Sequence, residues 1–440
     1  MNSGEVQYLR KKFREDMEHI LSKSFSRYGL HITPAFVGSM GEGVGLLSSD
    51  SDQMVILNDT VCVDKAAFSR HFNILEAEIS DTAPRYSKLR SVHSCEESWI
   101  GDFFSQSDIH VYKIPREFSY ISSVDFRNVC YKNNMNKLLT GYDNLTVSPS
   151  EINGPAISRS VTVRDEITAD LDFVPTLYFY GGNYICKWVQ RKRFYQWPSC
   201  DTINEIAGME GYVVPVGMKE SENVNIETTA EKELVGSFND VQMKLYILLK
   251  LISKQFKQKC KPFTSYIVKN VVFWVCEGSP QSQFSPELLL FLAEKSLRFV
   301  QLFVQNNFLP NYMIHERNLL TGAFSRQDKT VLSKLISDCL ETSVLNSILA
   351  TNIRLRKCIS YMYTTPQFVS FYGQWRDKVE ILWTTYLQQK FEHLGIGMFT
   401  RVTVGVDLNM KYVARDDRCI ETVMKLVDVV VPDWCFLSLR

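Results

Sequence analysis

The 440-residue sequence has no long hydrophobic run. Its longest apolar stretches, VVFWVC (271–276) and LLLFLA (288–293), are far too short to span a bilayer, so no membrane partner is expected. The start, MNSGEVQYLRKKF, lacks the apolar centre of a signal peptide. Neither charge is in excess. Lys plus Arg and Asp plus Glu both number 49, so only local clusters can speak of a polyanionic partner. No C-x-x-C pair occurs. Eleven scattered cysteines, an odd number, favour buried thiols in a reducing compartment over a disulfide framework, and so a cytoplasmic protein. The N-x-T sequons at Asn58 and Asn144 then read as chance. Internal repeats and low-complexity tracts are absent too. What remains is a 45% apolar chain of ordinary globular composition, long enough for two or three domains or for two lobes sharing a cleft.

Hydrophobic periodicity divides the chain. Residues 5–28 read as one amphipathic helix, with Val6, Leu9, Phe13, Met17, Ile20 and Leu21 at helical spacing and Gly29 as a stop. Strand-like segments follow to about residue 195: QMVILNDTVCVD, ISRSVTVRDEITADLDFVPTLYF and NYICKWVQ, with a helical interruption near SVDFRNVCYKNNMNKLLTG. A loop-rich stretch is expected at 198–230. Beyond 230 the pattern turns helical, in VQMKLYILLKLISKQF, SYIVKNVVFWVCEG, SPELLLFLAEKSLRFVQLFVQNN and the long run from Asp328 to Tyr363. RVTVGVDLNMKYVA, near the end, looks strand-like.

The stretch from Val37 to Leu57, VGSMGEGVGLLSSDSDQMVIL, carries the first chemical signal. Gly38-Ser39 can bring backbone N–H groups and a hydroxyl close to a phosphate. Asp50 and Asp52 stand two apart at the start of an apolar strand, so period two puts both carboxylates on one face. Two hard oxygen ligands suit Mg²⁺, which also takes substrate phosphates. The bland reading is an ordinary Gly-rich hairpin. A dinucleotide-binding glycine motif fits less well, because a strand rather than a helix follows the aspartates. The second signal is ITADLDFVP (167–175). Here Ile167, Ala169, Leu171 and Phe173 share one face, and Asp170 and Asp172 the other. If this strand lies beside the first, one aspartate becomes a third metal ligand, an arrangement suited to two-metal chemistry. An exposed sheet face is the alternative.

G-S, then Asp-x-Asp about a dozen residues on, then Asp-φ-φ-Pro resembles the nucleotidyltransferase fold of polymerase-beta type. Asp172, in Asp172-Phe-Val-Pro175, matches the third carboxylate, with Asp170 in reserve. Farther on, FTSYIVKNVVFWVCE (263–277) and FLPNYMIHERNLL (308–320) resemble the helical lobe of the Mab-type (male-abnormal) family, which includes the cGAS-like receptors and is typified by cyclic GMP-AMP synthase. The resemblance covers roughly 5–400. It implies a bilobal α/β plus α fold: residues 1–200 a mixed-sheet catalytic lobe with an N-terminal spine helix, residues 201–440 a helical lobe. It implies Mg²⁺ or Mn²⁺ on Asp50, Asp52 and Asp172, and nucleotide contacts from Gly38, Ser39, Glu231, Ser265, Tyr266 and Lys269. ATP and GTP are the implied substrates and a cyclic dinucleotide, an innate immune messenger, the implied product.

The chain departs from that family in two places. Residues 215–245 contain no Cys or His, so no zinc module can form there and DNA is a less favoured activator. VNIETTAEKEL (224–234) keeps an acidic residue at Glu231 but lacks the Arg and first Ser of the family's acceptor-binding run, which leaves the product's bases open. Local basic clusters are marked. Seven lysines run from Lys244 to Lys269 without an intervening acid, KWVQRKRF adds Arg191, Lys192 and Arg193, and the first helix adds Lys11 and Lys12. Lys11, Lys12, Arg191, Lys192, Arg193, Lys254 and Lys257 are therefore candidate contacts to a phosphate backbone. Double-stranded RNA, read by shape, is the favoured ligand. A solvated helix face is the bland alternative. A dimer on the ligand stays open, as do a silent binding protein and an oligonucleotide-forming transferase.

Overall fold

The computed structural model describes residues 31–42, 51–64, 73–78, 86–93, 145–148, 151–153, 155–163, 167–181, 185–215, 223–227 and 230–351, with scattered helical positions between 11 and 26, at 123, 126 and 127, and at 356 and 360. Asp50 and the strand-like RVTVGVDLNMKYVA lie outside the described residues. The chain divides into two compact units, one built on the strands and one on the helices of 183–209 and 233–370.

In the first unit the described residues form a mixed sheet of ten strands: β1 (Ile32–Phe36), β2 (Ser51–Val63), β3 (Asn73–Glu78), β4 (Tyr86–His93), β5 (Leu145–Val147), β6 (Glu151–Asn153), β7 (Ala156–Val163), β8 (Ile167–Tyr180), β9 (Gly211–Val214) and β10 (Asn223–Glu227). Two long parallel strands, β2 and β8, form its axis. Each changes partner on its other edge. β2 pairs with β1 through Gln53–Leu57 and with β3 from Thr60. β8 pairs with β7 through Phe173 and with β9 from Leu177. Pairings run β2–β3–β4–β10–β9–β8 and return to β2, a closed ring. Pro175 falls between the two partners of β8. There its missing N–H interrupts neither the β7 nor the β9 ladder. The proline of Asp-Phe-Val-Pro thus sits where two strands diverge.

Burial follows this layout. β1 alternates, with Ile32, Pro34 and Phe36 inside. β2 is buried continuously from Gln53 to Leu57, as a central strand flanked on both edges should be. Ser123, Phe126 and Arg127 are helical and buried, where a helical interruption was expected. Two expectations need correction. The stretch 198–230, read as loop-rich, contributes β9 and β10, which are only four and five residues long and gain their stability from sheet neighbours rather than from a visible pattern. NYICKWVQ, read as strand-like, contains the helix Cys186–Gln190, whose Trp188 is buried against Tyr312.

The second unit is helical. Its main helices are Asp240–Phe256, Ser265–Glu277, Leu289–Gln305, Arg326–Glu341 and Val344–Thr351. Capping boxes start two of them, Asn239 with Gln242 and Ser325 with Asp328. The helical run expected from Asp328 is divided at Ser343, where φ reaches +72°. Trp197 packs against both Phe238 and Phe273, which also touch each other, and Tyr312 touches Trp188, Trp197, Phe273 and Trp274, which makes an aromatic core. Cys260, Cys276 and Cys339 are buried as free thiols here, and Cys62 in the sheet. Burial pushes all four above the ordinary thiol range, so they behave as small apolar groups.

Candidate active site

Asp52 and Asp172 are register partners in the adjacent parallel strands β2 and β8. The row extends on both sides. Ser158 of β7 pairs with Asp172, Glu151 of β6 pairs with Ser158, and the Val37 N–H donates to the Asp52 carbonyl at 3.0 Å. Register partners point to one face, so the two carboxylates sit side by side. Both are half-buried. Asp170 pairs with Ser160 on β7, one residue before the β2 pairing begins at Leu171, so Asp172 and not Asp170 is the one opposite Asp52.

Gly38 begins the turn Gly38–Gly41, a four-residue helix closed by bonds from Gly41 N–H to Val37 O and from Glu42 N–H to Gly38 O. Its φ is +57°, and a Cβ at Gly38 would lie 2.1 Å from Asp52 Oδ2. The bare glycine is what lets the turn rest on the carboxylate. Gly41 is constrained in the same way, for a Cβ there would lie 2.3 Å from the Phe36 carbonyl. Ser39 follows Gly38 in the turn and is half-buried. The Gly-Ser element and one aspartate of Asp-x-Asp thus meet in space. Among the described residues no group of three Asp, Glu, His or Cys side chains gathers as a metal site. Asp52 and Asp172 supply two hard oxygen donors in one row, a set that fits Mg²⁺ or Mn²⁺. Ser158 was not visible as a site residue in the sequence. Its hydroxyl is buried next to Asp172 with no hydrogen-bond partner. Only strand pairing reveals it.

In the helical unit, Ser265 is exposed on the first turn of its helix. Lys269 is 9% exposed, with its ammonium 5.4 Å from the centre of the Tyr266 ring. The Tyr266 hydroxyl accepts from Asn311 Nδ2 at 2.9 Å. Asn311 Oδ1 in turn accepts from the Met313 and Ile314 N–H groups. Lys269 and Tyr266 are therefore built into the packing, although Ser265 faces solvent. In the sheet unit, Glu231 is half-buried in the helix Ala230–Gly236.

A second polar cluster lies deeper in this unit. Glu277 Oε2 accepts from Arg191 Nη2 at 2.7 Å and from the Tyr312 hydroxyl at 2.7 Å, with Arg193 Nε at 3.3 Å. The Arg191 guanidinium lies 4.6 Å from the Trp274 ring centre and 4.7 Å from that of Tyr312. Arg193 caps the Trp188 ring at 4.5 Å and donates to the Trp188 and Arg191 carbonyls. Burial, with Glu277 alongside, pushes the Tyr312 phenol well above its ordinary range, so it stays a neutral donor.

One comparison with known families bears on this helical core. Residues 241–338 match the Mab-21 protein HhH/H2TH-like domain. The Mab-21 match runs from the Asp240–Phe256 helix nearly to the end of the Arg326–Glu341 helix. No curated protein matches the chain. The Mab-21 match, with a mixed sheet bearing paired aspartates, is consistent with a nucleotidyltransferase-like protein. Within the Mab-21 region the lysine run separates by environment. Lys244 pairs with Asp240, and Lys250 is buried over the Tyr246 ring. Lys254, Lys257, Lys259 and Lys261 are exposed at the end of the first matched helix and in the turn after it. In the second cluster Lys187 and Lys192 are exposed, Lys187 paired with Glu316, whereas Arg191 and Arg193 are spent on Glu277 and the aromatic core. Lys11 and Lys12 are exposed on the N-terminal helix. Among the described residues no helix is long and apolar enough to cross a membrane.

Proposed function

We propose that the protein is a cytoplasmic, nucleic-acid-activated nucleotidyltransferase that joins nucleoside triphosphates, ATP and GTP first among them, into a cyclic dinucleotide messenger. The observation that carries the transferase reading is the Asp52–Asp172 register pair with the Gly38 turn resting on it. Asp52 and Asp172, with Asp50 beside them in sequence, would hold Mg²⁺ or Mn²⁺. When bound, the ion lowers the pKa of an attacking ribose hydroxyl and neutralises charge on the leaving pyrophosphate. The chain's own groups do the rest. Gly38 and Ser39 offer backbone N–H groups and a hydroxyl to the triphosphate. Asp172 takes the hydroxyl proton as the oxygen attacks the α-phosphorus, the bond to the β-phosphate oxygen breaks, and pyrophosphate departs. A second round in the other direction closes the ring. Ser265, Tyr266, Lys269 and Glu231 are assigned to nucleotide binding by the family resemblance.

Purified protein incubated with labelled ATP, GTP, CTP and UTP and Mg²⁺ or Mn²⁺ tests the reading. Arms without nucleic acid, with double-stranded RNA and with double-stranded DNA name the activator. A phosphatase-resistant dinucleotide formed only with one duplex supports it; linear oligomers, or nothing in any arm, reject it.

Gly38→Ala isolates the turn. Its Cβ has no room beside Asp52 Oδ2, and φ is left-handed. We expect transfer to fall about 100-fold, as for a small misplacement of reacting groups, and stability to fall by about 1–2 kcal/mol. Initial rates and urea denaturation check both. For the basic surface, Lys254→Ala/Lys257→Ala should weaken double-stranded RNA binding and flatten its log-affinity against log-salt slope by about 1 per lysine, with stability unchanged. Arg191→Ala should act the other way, lowering stability first, because its guanidinium is internal. Salt-titrated binding and thermal melts separate the two.

A further inference from the structure

Among the described residues β1 is an edge strand that pairs only with β2. An edge leaves N–H groups facing away from the sheet. The Phe36 N–H finds its acceptor in the N-terminal helix, donating to Glu18 Oε1 at 2.7 Å. The same carboxylate has Lys232 Nζ at 3.8 Å, and Arg14 and Glu15 also act on it electrostatically. Burial pushes the Glu18 carboxyl above its usual range, against the pull of Lys232, the Phe36 N–H and Arg14. A carboxylate withdrawn from water this far is costly unless its contact is used.

What lies just past Phe36 gives that use. The next N–H, of Val37, binds the Asp52 carbonyl, and the next residue, Gly38, rests on the Asp52 carboxylate. Gly41 comes back against the Phe36 carbonyl. Phe36 is therefore held at its N–H by Glu18 and crowded at its carbonyl by the turn, one residue from the aspartate contact. We infer that Glu18 is a positioning residue, which fixes the end of β1 so that the Gly38 turn seats Asp52. Its activity and Mn²⁺ readouts rest on the transferase reading; amide exchange does not.

The full-length chain carries the test, as Glu18→Ala, Glu18→Met and Glu18→Gln. Glu18→Met fills similar volume without an oxygen acceptor, so it serves if Glu18→Ala does not fold. Three readouts are amide hydrogen exchange at Phe36 and Val37, Mn²⁺ affinity by paramagnetic resonance, and kcat and KM for transfer. In Glu18→Ala and Glu18→Met we expect faster exchange at both amides and Mn²⁺ affinity and kcat each reduced about 10-fold or more, with KM for the triphosphate less affected, as for an outer residue that orients a metal ligand. Glu18→Gln keeps an acceptor for Phe36 and should restore Val37 protection and Mn²⁺ affinity to within about twofold. Faster exchange at Phe36 alone, with Val37 protection and Mn²⁺ affinity at wild-type levels, would overturn the inference and leave Glu18 an edge cap. Absence of transfer in the wild type would remove the transferase reading, while exchange at Val37 would still decide the role of Glu18.

Discussion

Asp52→Asn should abolish nucleotidyl transfer and leave the protein at least as stable as the wild type. The two effects have one cause. Asp52 and Asp172 are register partners, so two like charges sit directly across neighbouring strands. That costs stability in the absence of a cation, by a few tenths of a kcal/mol up to about 1 kcal/mol, and Asn relieves it. The same pair, loaded with a divalent ion, is worth several kcal/mol of transition-state stabilisation, so its loss should lower the rate by about 10³-fold or more. Asp172→Asn should behave alike. Asp170→Asn is the control: Asp170 lies before the β2 pairing starts, and its rate should stay within about tenfold of wild type, which a single tenfold step of about 1.4 kcal/mol bounds. Initial rates beside thermal melts in chelator give both numbers. A variant that loses activity and also melts early would mean that Asp52 is structural.

Glu277→Ala should be the most destabilising single change in the helical unit. Glu277 accepts from Arg191 and Tyr312 and forms an ion pair with Arg193, with side-chain exposures of 11% for Glu277, 19% for Arg191 and 6% for Arg193. Removing it leaves two guanidinium groups and a phenol without their common partner, while the aromatic rings keep Arg191 from turning out to water. Breaking such a pair from one side costs about 3–5 kcal/mol. Glu277→Gln keeps an acceptor oxygen for Tyr312 but not the charge, and should fall between. Lys187→Ala, which breaks the solvent-facing contact with Glu316, should change stability little, because Lys187 is 81% exposed and its ammonium stays hydrated. Urea denaturation ranks the three. Equal losses for Glu277→Ala and Lys187→Ala would show that the buried cluster is not the anchor of this unit.

The linear pattern carried much of this. Gly38-Ser39, Asp52 and Asp-Phe-Val-Pro all announce themselves, because turn chemistry and period-two alternation act over neighbouring residues. The helices after residue 230 are equally plain, since periodicity and capping boxes are local signals. What the pattern did not carry is long-range. β9 and β10 are too short to show alternation, and they exist because sheet neighbours complete them. Cys186–Gln190 has the apolar and aromatic content of a strand, and burial of Trp188 decides otherwise. Arg191 and Arg193 look like surface charge until Glu277, over eighty residues on, is brought to them. Glu18 and Ser158 are ordinary residues in sequence. Only pairing and packing place one against Phe36 and the other beside Asp172.

The most direct measurement is pyrophosphate release from a mixture of the four nucleoside triphosphates with Mn²⁺, by wild type and by Asp52→Asn at equal concentration, each with and without double-stranded RNA. We expect release by the wild type, raised by the RNA, and none above background from Asp52→Asn. A wild type that releases no pyrophosphate in any arm, or an Asp52→Asn protein that releases as much, would contradict a transferase centred on the Asp52–Asp172 pair.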